Sequence, residues 1–243
     1  MSSDFRNKRV LITGGTDGIG LEVARLLAVC GAELVIVGRR NEDELALPKD
    51  CHYIQTDLST SQSTADVMQG LASIGFDDGI DHLVLNASIG YVGALSDESD
   101  EALLALLAVN LKGPLALCQN LYPALAARSG SVCFISSTAA GSATPNFASY
   151  TASKTALNDF ADNLEIEWQG RVNVQVVSPG PTRTAFHKKA GMDEPPMAGL
   201  FMKPQEVAQG IVRVLASGKR RKGYSMPALL FFAAKRALFG GVA

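Results

Sequence analysis

The sequence predicts a doubly wound α/β fold: one parallel sheet covered by helices on both faces, in three layers. Two observations predict it. Short β-rich runs alternate with longer stretches of helical period along nearly the whole chain, the rhythm of βαβ units joined by right-handed crossovers. Several of the short runs are apolar throughout instead of alternating, as strands are when helices cover both faces of a sheet.

Taken in order, strands are expected at Arg9–Thr13, Glu33–Val37, His52–Thr56, His82–Asn86, Ser131–Ser136 and Val172–Val177. Helices are expected at Ile19–Val29, Glu98–Leu125 and Ser149–Trp168. Two segments break the rhythm. Ala185–Lys203 holds two glycines, Pro195, Pro196 and the apolar anchors Phe186, Met197 and Phe201, and Pro204 is placed to open the helix that follows. A loop of that length inside a compact domain is usually functional. Near the end, the basic run Lys219–Lys222 precedes Pro227–Phe239, which reads as an apolar helix. No repeat, low-complexity tract or flexible linker divides the chain, so residues 1–243 are expected to form one domain.

The bulk numbers narrow the class. A chain of 243 residues buries roughly three quarters of its unfolded surface and needs neither disulfide nor metal to stay folded. With 47% hydrophobic residues, 19% charged and a net charge of −2, nothing attracts nucleic acid, and no basic stripe with interleaved aromatics appears. Cys30, Cys51, Cys118 and Cys133 form no CxxC pair, and His52, His82 and His187 share no ligand spacing, so no metal site is expected. Met1–Lys8 is polar and runs straight into a strand, which is not a secretory leader; the cytoplasm is the expected compartment.

The first strand ends in Thr13-Gly14-Gly15-Thr16-Asp17-Gly18-Ile19-Gly20 and a helix follows at once. Glycines permit a tight turn and let backbone N–H groups approach a pyrophosphate, which the positive end of the helix dipole then favours. No Lys-Ser/Thr pair follows, so this is not a Walker loop, and its spacing is not GxGxxG. Further along come Asn86-Ala87 after the fourth strand, Val109-Asn110-Leu111, Ser137, Tyr150-x-x-x-Lys154 and Pro179-Gly180-x-x-x-Thr184. In this order and spacing, over residues 8 to 217, the chain resembles the short-chain dehydrogenase/reductase family. Ser88 departs from the family's glycine; placed beside the adenine side of the cofactor, it is expected to alter the turn slightly without loss of binding.

Tyr150 and Lys154 lie four apart on one expected helix and so share a face. A phenol titrates near ~10, too high for efficient proton transfer at neutral pH, and a neighbouring ammonium would lower it, with an oxidised nicotinamide adding to the effect. The resemblance implies that Tyr150 is the proton donor or acceptor and that Lys154 also bonds the nicotinamide ribose. Ser137 would donate to the substrate oxygen as charge develops there. Ser136 is the alternative, disfavoured because alternation along a strand turns it the other way. Asn110 would hold a water beside Lys154 as part of a proton relay.

For the cofactor, the resemblance assigns the loop Thr13–Gly20, Asp57 with Leu58 at the adenine, Asn86-Ala87, and Pro179, Gly180, Thr182 and Thr184. Gly38 stands where an acidic residue would select NAD, and Arg39 and Arg40 follow it. Arginine suits a 2′-phosphate, so NADP is expected, with NAD the alternative; Asp17 weighs against NADP. Phe186, Met192, Met197, Leu200 and Phe201 read as an apolar lid over a hydrophobic ketone or aldehyde, although His187, Lys188, Lys189, Asp193 and Glu194 lie among them. The helices Glu98–Leu125 and Ser149–Trp168 would form a homodimer or homotetramer, as in the family. The terminal helix is expected to pack on this domain or a second subunit, the alternative being peripheral membrane contact through residues 219–239. Two other functions fit the same fold: a catalytically silent nucleotide sensor or scaffold, and an epimerase or dehydratase, for whose larger substrate domain the chain has little room.

Overall fold

The structure, a computed structural model, describes residues 5–192 and 198–218, together with the backbone of 221–224. In chain order its elements are β1 (Arg9–Thr13), α1 (Gly18–Val29), β2 (Glu33–Gly38), β3 (His52–Gln55), α2 (Ser63–Ser73), β4 (His82–Leu85), α3 (Asp100–Leu107), α4 (Gly113–Ala127), β5 (Ser131–Ile135), α5 (Ala148–Glu167), β6 (Asn173–Pro179), α6 (Phe186–Lys189), α7 (Pro204–Ser217) and β7 (Arg221–Tyr224). The sheet is parallel throughout, in the order β3-β2-β1-β4-β5-β6-β7.

The apolar strands feed two cores at once. In β1, Leu11 packs on one side with Leu83, Val35 and Phe134, beneath α2, α4 and α5; Val10 and Ile12 pack on the other with Val23, Leu27, Ile211 and Val214 of α1 and α7. Side chains alternate across a strand, so one that is buried on both faces must be apolar at every position. The strand order reverses between β1 and β4, and the crevice at their C-terminal ends is where open α/β sheets take a ligand.

Expected strands and helices fall within one or two residues of the observed ones, with two corrections. The basic tail is not all extension: Arg221–Tyr224 pairs with β6 as a seventh strand, Val176 opposite Arg221 and Pro179 opposite Tyr224. Backbone hydrogen bonds carry an edge strand, so its composition did not announce it. The expected helix Glu98–Leu125 is also not continuous. Ser99 caps α3 by accepting from Ala102 N at 3.2 Å, and a π-helical turn, Ala108–Lys112, then separates α3 from α4. Pro114 supplies the reason: it has no N–H to pair with the Asn110 carbonyl, so the α-helical ladder cannot run through. Asp193–Met197, Lys219 and Arg220, and the expected helix Pro227–Phe239 lie outside the described residues.

The chain after β6 leaves and returns at one point. Thr182 bridges Met202, Arg183 N donates to Met202 O at 2.9 Å, and Met202 N donates to Pro181 O at 3.0 Å. The Arg183 guanidinium ties the neck further, bonding Phe201 O at 3.0 Å and Gly199 O at 2.7 Å. α6 thereby hangs over the crevice from a clasped base.

Candidate active site at the C-terminal edge of the sheet

The glycine loop is shaped by what it touches. Gly14 has φ +66°, and a Cβ there would stand 2.7 Å from Ala87 Cα, so only glycine fits. Thr13 and Asn86 lock that approach: Thr13 Oγ1 accepts from Asn86 N and Ala87 N, both at 3.1 Å, while Asn86 Nδ2 donates to Thr13 O at 3.2 Å and Gly14 O at 2.9 Å. Thr13, Gly15 and Gly20 therefore do not line the crevice. A Cβ at Gly15 would press Ile36, and one at Gly20 would stand 2.3 Å from Gly14 O, so these glycines serve the packing of loop and helix.

A cavity of about 580 Å³ runs along the edge, lined by Gly14, Thr16–Ile19, Arg39, Arg40, Asp57, Leu58, Asn86–Ile89, Ser136, Ser137, Tyr150, Lys154, Pro179, Gly180, Thr182 and Thr184. Thr56, Ser59, Phe147 and Lys189 also line it, without any local motif that would have marked them. At one end stands the N-terminus of α1. Asp17 occupies the N-cap, a residue type that normally bonds the first-turn N–H groups, yet its side chain makes no capping bond and pairs instead with Lys189 of α6. The first N–H groups of α1 are thus left toward the cavity.

Arg39 and Arg40 flank the same end. Arg39 Nη1 lies 3.9 Å from Asp57 Oδ2, and Arg40 donates to Thr16 O. Burial acts to raise the Asp57 carboxyl, but hydrogen bonds from Ser59 N and Ser59 Oγ, with the Arg39 charge, hold it below its ordinary value. Gly38 has a steric cause: a Cβ there would stand 2.5 Å from Thr16 Cγ2 and 2.9 Å from the Tyr53 hydroxyl, itself bonded to Arg40 O. The position that would carry a NAD-selecting carboxylate is closed by its neighbours. An uncapped helix end and three cations at one mouth, beside a loop whose Gly14 has no room for a side chain, together fit a dinucleotide phosphate.

At the other end α5 brings Tyr150 and Lys154 to the wall. Tyr150 is buried, its ring stacked on Phe147 at a centroid distance of 4.4 Å and 5.3 Å from Phe186 of the lid. Lys154 is only 2% exposed; its Nζ donates to Ile135 O at 2.9 Å and lies 5.9 Å from the Tyr150 ring centroid. Burial pushes the phenol up to about 12, partly offset by Ser137 and Ser88, and pushes the amine down to about 7. The sequence led to the expectation of a phenol lowered by its lysine and an oxidised nicotinamide; here burial is the largest influence on each group, and what acts against it at the phenol is the Ser137 and Ser88 hydroxyls, not the lysine.

Two serines and the asparagine have surroundings that the sequence did not show. β5 ends at Ile135, so strand alternation no longer governs Ser136, which lines the same cavity as Ser137. The Ser136 hydroxyl is buried and has no hydrogen-bond partner among the described residues. Asn110 sits behind the wall, fully buried. Its Oδ1 accepts from Ile89 N at 2.9 Å and Ser88 Oγ at 3.1 Å, and its Nδ2 donates to Ile89 O at 2.8 Å and Ser153 Oγ at 3.1 Å. Every side-chain position is used, so a water could meet this residue only at its main-chain carbonyl, the one that Pro114 leaves without its i+4 donor. Ser88, expected to alter the turn beside the adenine, donates to Asn110 and lines the same cavity as Tyr150.

A doubly wound sheet with an uncapped helix end facing a buried Tyr–Lys pair defines a nicotinamide-dependent oxidoreductase. Comparison with known proteins agrees. A family model described as short chain dehydrogenase matches residues 8–195. The chain is 34% identical over 244 residues to the Bos taurus "Dehydrogenase/reductase SDR family member 7B", covering 91% of this chain and 74% of that protein. Among solved structures it is similar to a "short chain dehydrogenase/reductase family protein" (30% identity, TM-score 0.79, 90% of this chain and 96% of that one). It is likewise similar to a 3-ketoacyl-(acyl-carrier-protein) reductase from Brucella melitensis complexed with NADH (25% identity, TM-score 0.78, 90% of this chain and 97% of that one). The chain belongs to the short-chain dehydrogenase/reductase family and is an NAD(P)-dependent dehydrogenase/reductase.

Proposed function

We propose that the protein reduces an apolar ketone or aldehyde to the alcohol, reversibly, with NADPH as the preferred cofactor. The observation that carries this reading is the meeting, in one cavity, of the Tyr150 phenol, the Ser137 hydroxyl and the Lys154 amine at one end with the glycine loop at the other. A bound reduced nicotinamide supplies the hydride. The protein supplies the rest. Ser137 Oγ accepts from Ala139 N at 3.1 Å, which leaves its one proton for the substrate oxygen. Tyr150 Oη gives its proton to that oxygen, and regains one from solvent past Lys154 and the Asn110 carbonyl.

Ile89, Val92, Val109, Phe147 and Phe186 line the substrate end, which favours an apolar group beside the carbonyl. Arg39 and Arg40 support the 2′-phosphate, and the steric closure at Gly38 removes the usual carboxylate against it. The test is NADPH and NADH absorbance loss against a panel of ketones and aldehydes. Tyr150→Phe should lower turnover at least ~10²-fold while cofactor affinity stays within about twofold. Full activity in that variant would remove the mechanism.

A further inference from the structure

We propose that Lys189 of the lid is a cofactor-binding residue: its ammonium bonds both the Asp17 carboxylate and the cofactor diphosphate, which is what lets an aspartate sit in a phosphate-binding loop. The inference rests on a dinucleotide occupying the α1 end of the cavity, and is independent of Tyr150 and of the preference for NADPH.

An acidic side chain at that place needs an explanation. Among the described residues two carboxylates line the cavity, Asp57 and Asp17. Asp57 is answered locally, by Ser59 and Arg39. Asp17 opens α1, where the helix dipole and unpaired N–H groups invite an anion that a bare carboxylate would repel. Its backbone, at φ −156° and ψ 176°, has the extended form of a capping residue, yet the carboxylate makes no capping bond. It turns instead to Lys189, 172 residues further along the chain. Neither Arg25 nor Arg40 takes that place: Arg25 pairs with Glu22, and Arg40 donates to Thr16 O.

The lid meets the glycine loop at two neighbouring points. Its stem passes against Gly18, where a Cβ would stand 3.1 Å from Thr184 Cγ2. Beyond it, Lys189 Nζ donates to Asp17 Oδ2. An ammonium carries three donors, so two remain once Asp17 has taken one, on a residue that itself lines the cavity. Both side chains are about half exposed, so the pair adds little to the stability of the fold. Its use lies in charge. With Lys189 in place Asp17 adds no net charge at the mouth, and without it the loop presents a negative one to the diphosphate.

Fluorescence titration of NADPH and NADH on the full chain, at low and at high salt, reads this contact without turnover. Lys189→Gln should weaken both cofactors by the same factor, about tenfold at low salt and less at high salt. Lys189→Arg should stay within about twofold of the parent. Adding Asp17→Asn to Lys189→Gln should recover most of the loss. Adenosine 2′-monophosphate, which has no diphosphate, should bind the parent and Lys189→Gln alike at high salt, and melting temperatures should barely move. Unchanged NADPH and NADH affinity in Lys189→Gln overturns the proposal. A loss confined to NADPH, or shared by adenosine 2′-monophosphate, overturns it by moving the amine to the 2′-phosphate. A double variant no tighter than Lys189→Gln overturns the shielding of Asp17. Failure of the carbonyl-reduction reading would show elsewhere, as an active Tyr150→Phe with these affinities unaffected.

Discussion

Lys154→Met should stabilise the protein at neutral pH and destroy its activity. The parent buries an amine whose pKa falls from 10.5 to about 7, so the folded value lies below the unfolded one. The penalty is full below about pH 7, where the unfolded amine is charged, and vanishes as pH rises past ~10.5. Each factor of ten is worth about 1.4 kcal/mol. The folded state therefore loses about 4 kcal/mol near pH 7 and about 1 kcal/mol near pH 9.5. Methionine, of similar length and uncharged, removes the penalty but leaves Ile135 O without its donor, a cost of about 1–3 kcal/mol that does not depend on pH. Subtracting the two conditions cancels that cost. Urea unfolding near pH 7 and pH 9.5 should show the variant's advantage shrinking by about 3 kcal/mol. An advantage that is flat, or grows with pH, would refute the claim that Lys154 is held against its charge.

Three further outcomes follow from the cofactor end. Gly14→Ala places a Cβ 2.7 Å from Ala87 Cα at φ +66°, and should cost about 1–3 kcal/mol and weaken both cofactors; a thermal melt at parental temperature would contradict this. Arg39→Asp should raise KM for NADPH about tenfold or more and leave NADH nearly unchanged, and equal effects on both would remove Arg39 from the 2′-phosphate. Asp17→Asn breaks the pair with Lys189, in which both side chains are about half exposed, so melting should barely move. NADPH affinity by fluorescence titration should rise, most at low salt, because a negative charge leaves the N-terminus of α1; weaker binding would count against a phosphate there.

What the sequence determined by itself was whatever depends on local period and order. The apolar runs, the glycine loop and the Tyr150–Lys154 spacing each follow from a strand, turn or helix acting over a few residues, and their order identified the family. The tertiary structure alone decided what depends on burial and on contacts distant in the chain. Burial of Tyr150 and Lys154 pushes the phenol up and the amine down, which no helical spacing reveals. Asp17 meets Lys189 across the cavity mouth, and Ser88 meets Asn110. Arg221–Tyr224 is a strand because β6 offers it an open edge, and pairing between backbones leaves little mark on composition. Sequence distance says nothing of dielectric, and a desolvated charge is a property of the whole fold.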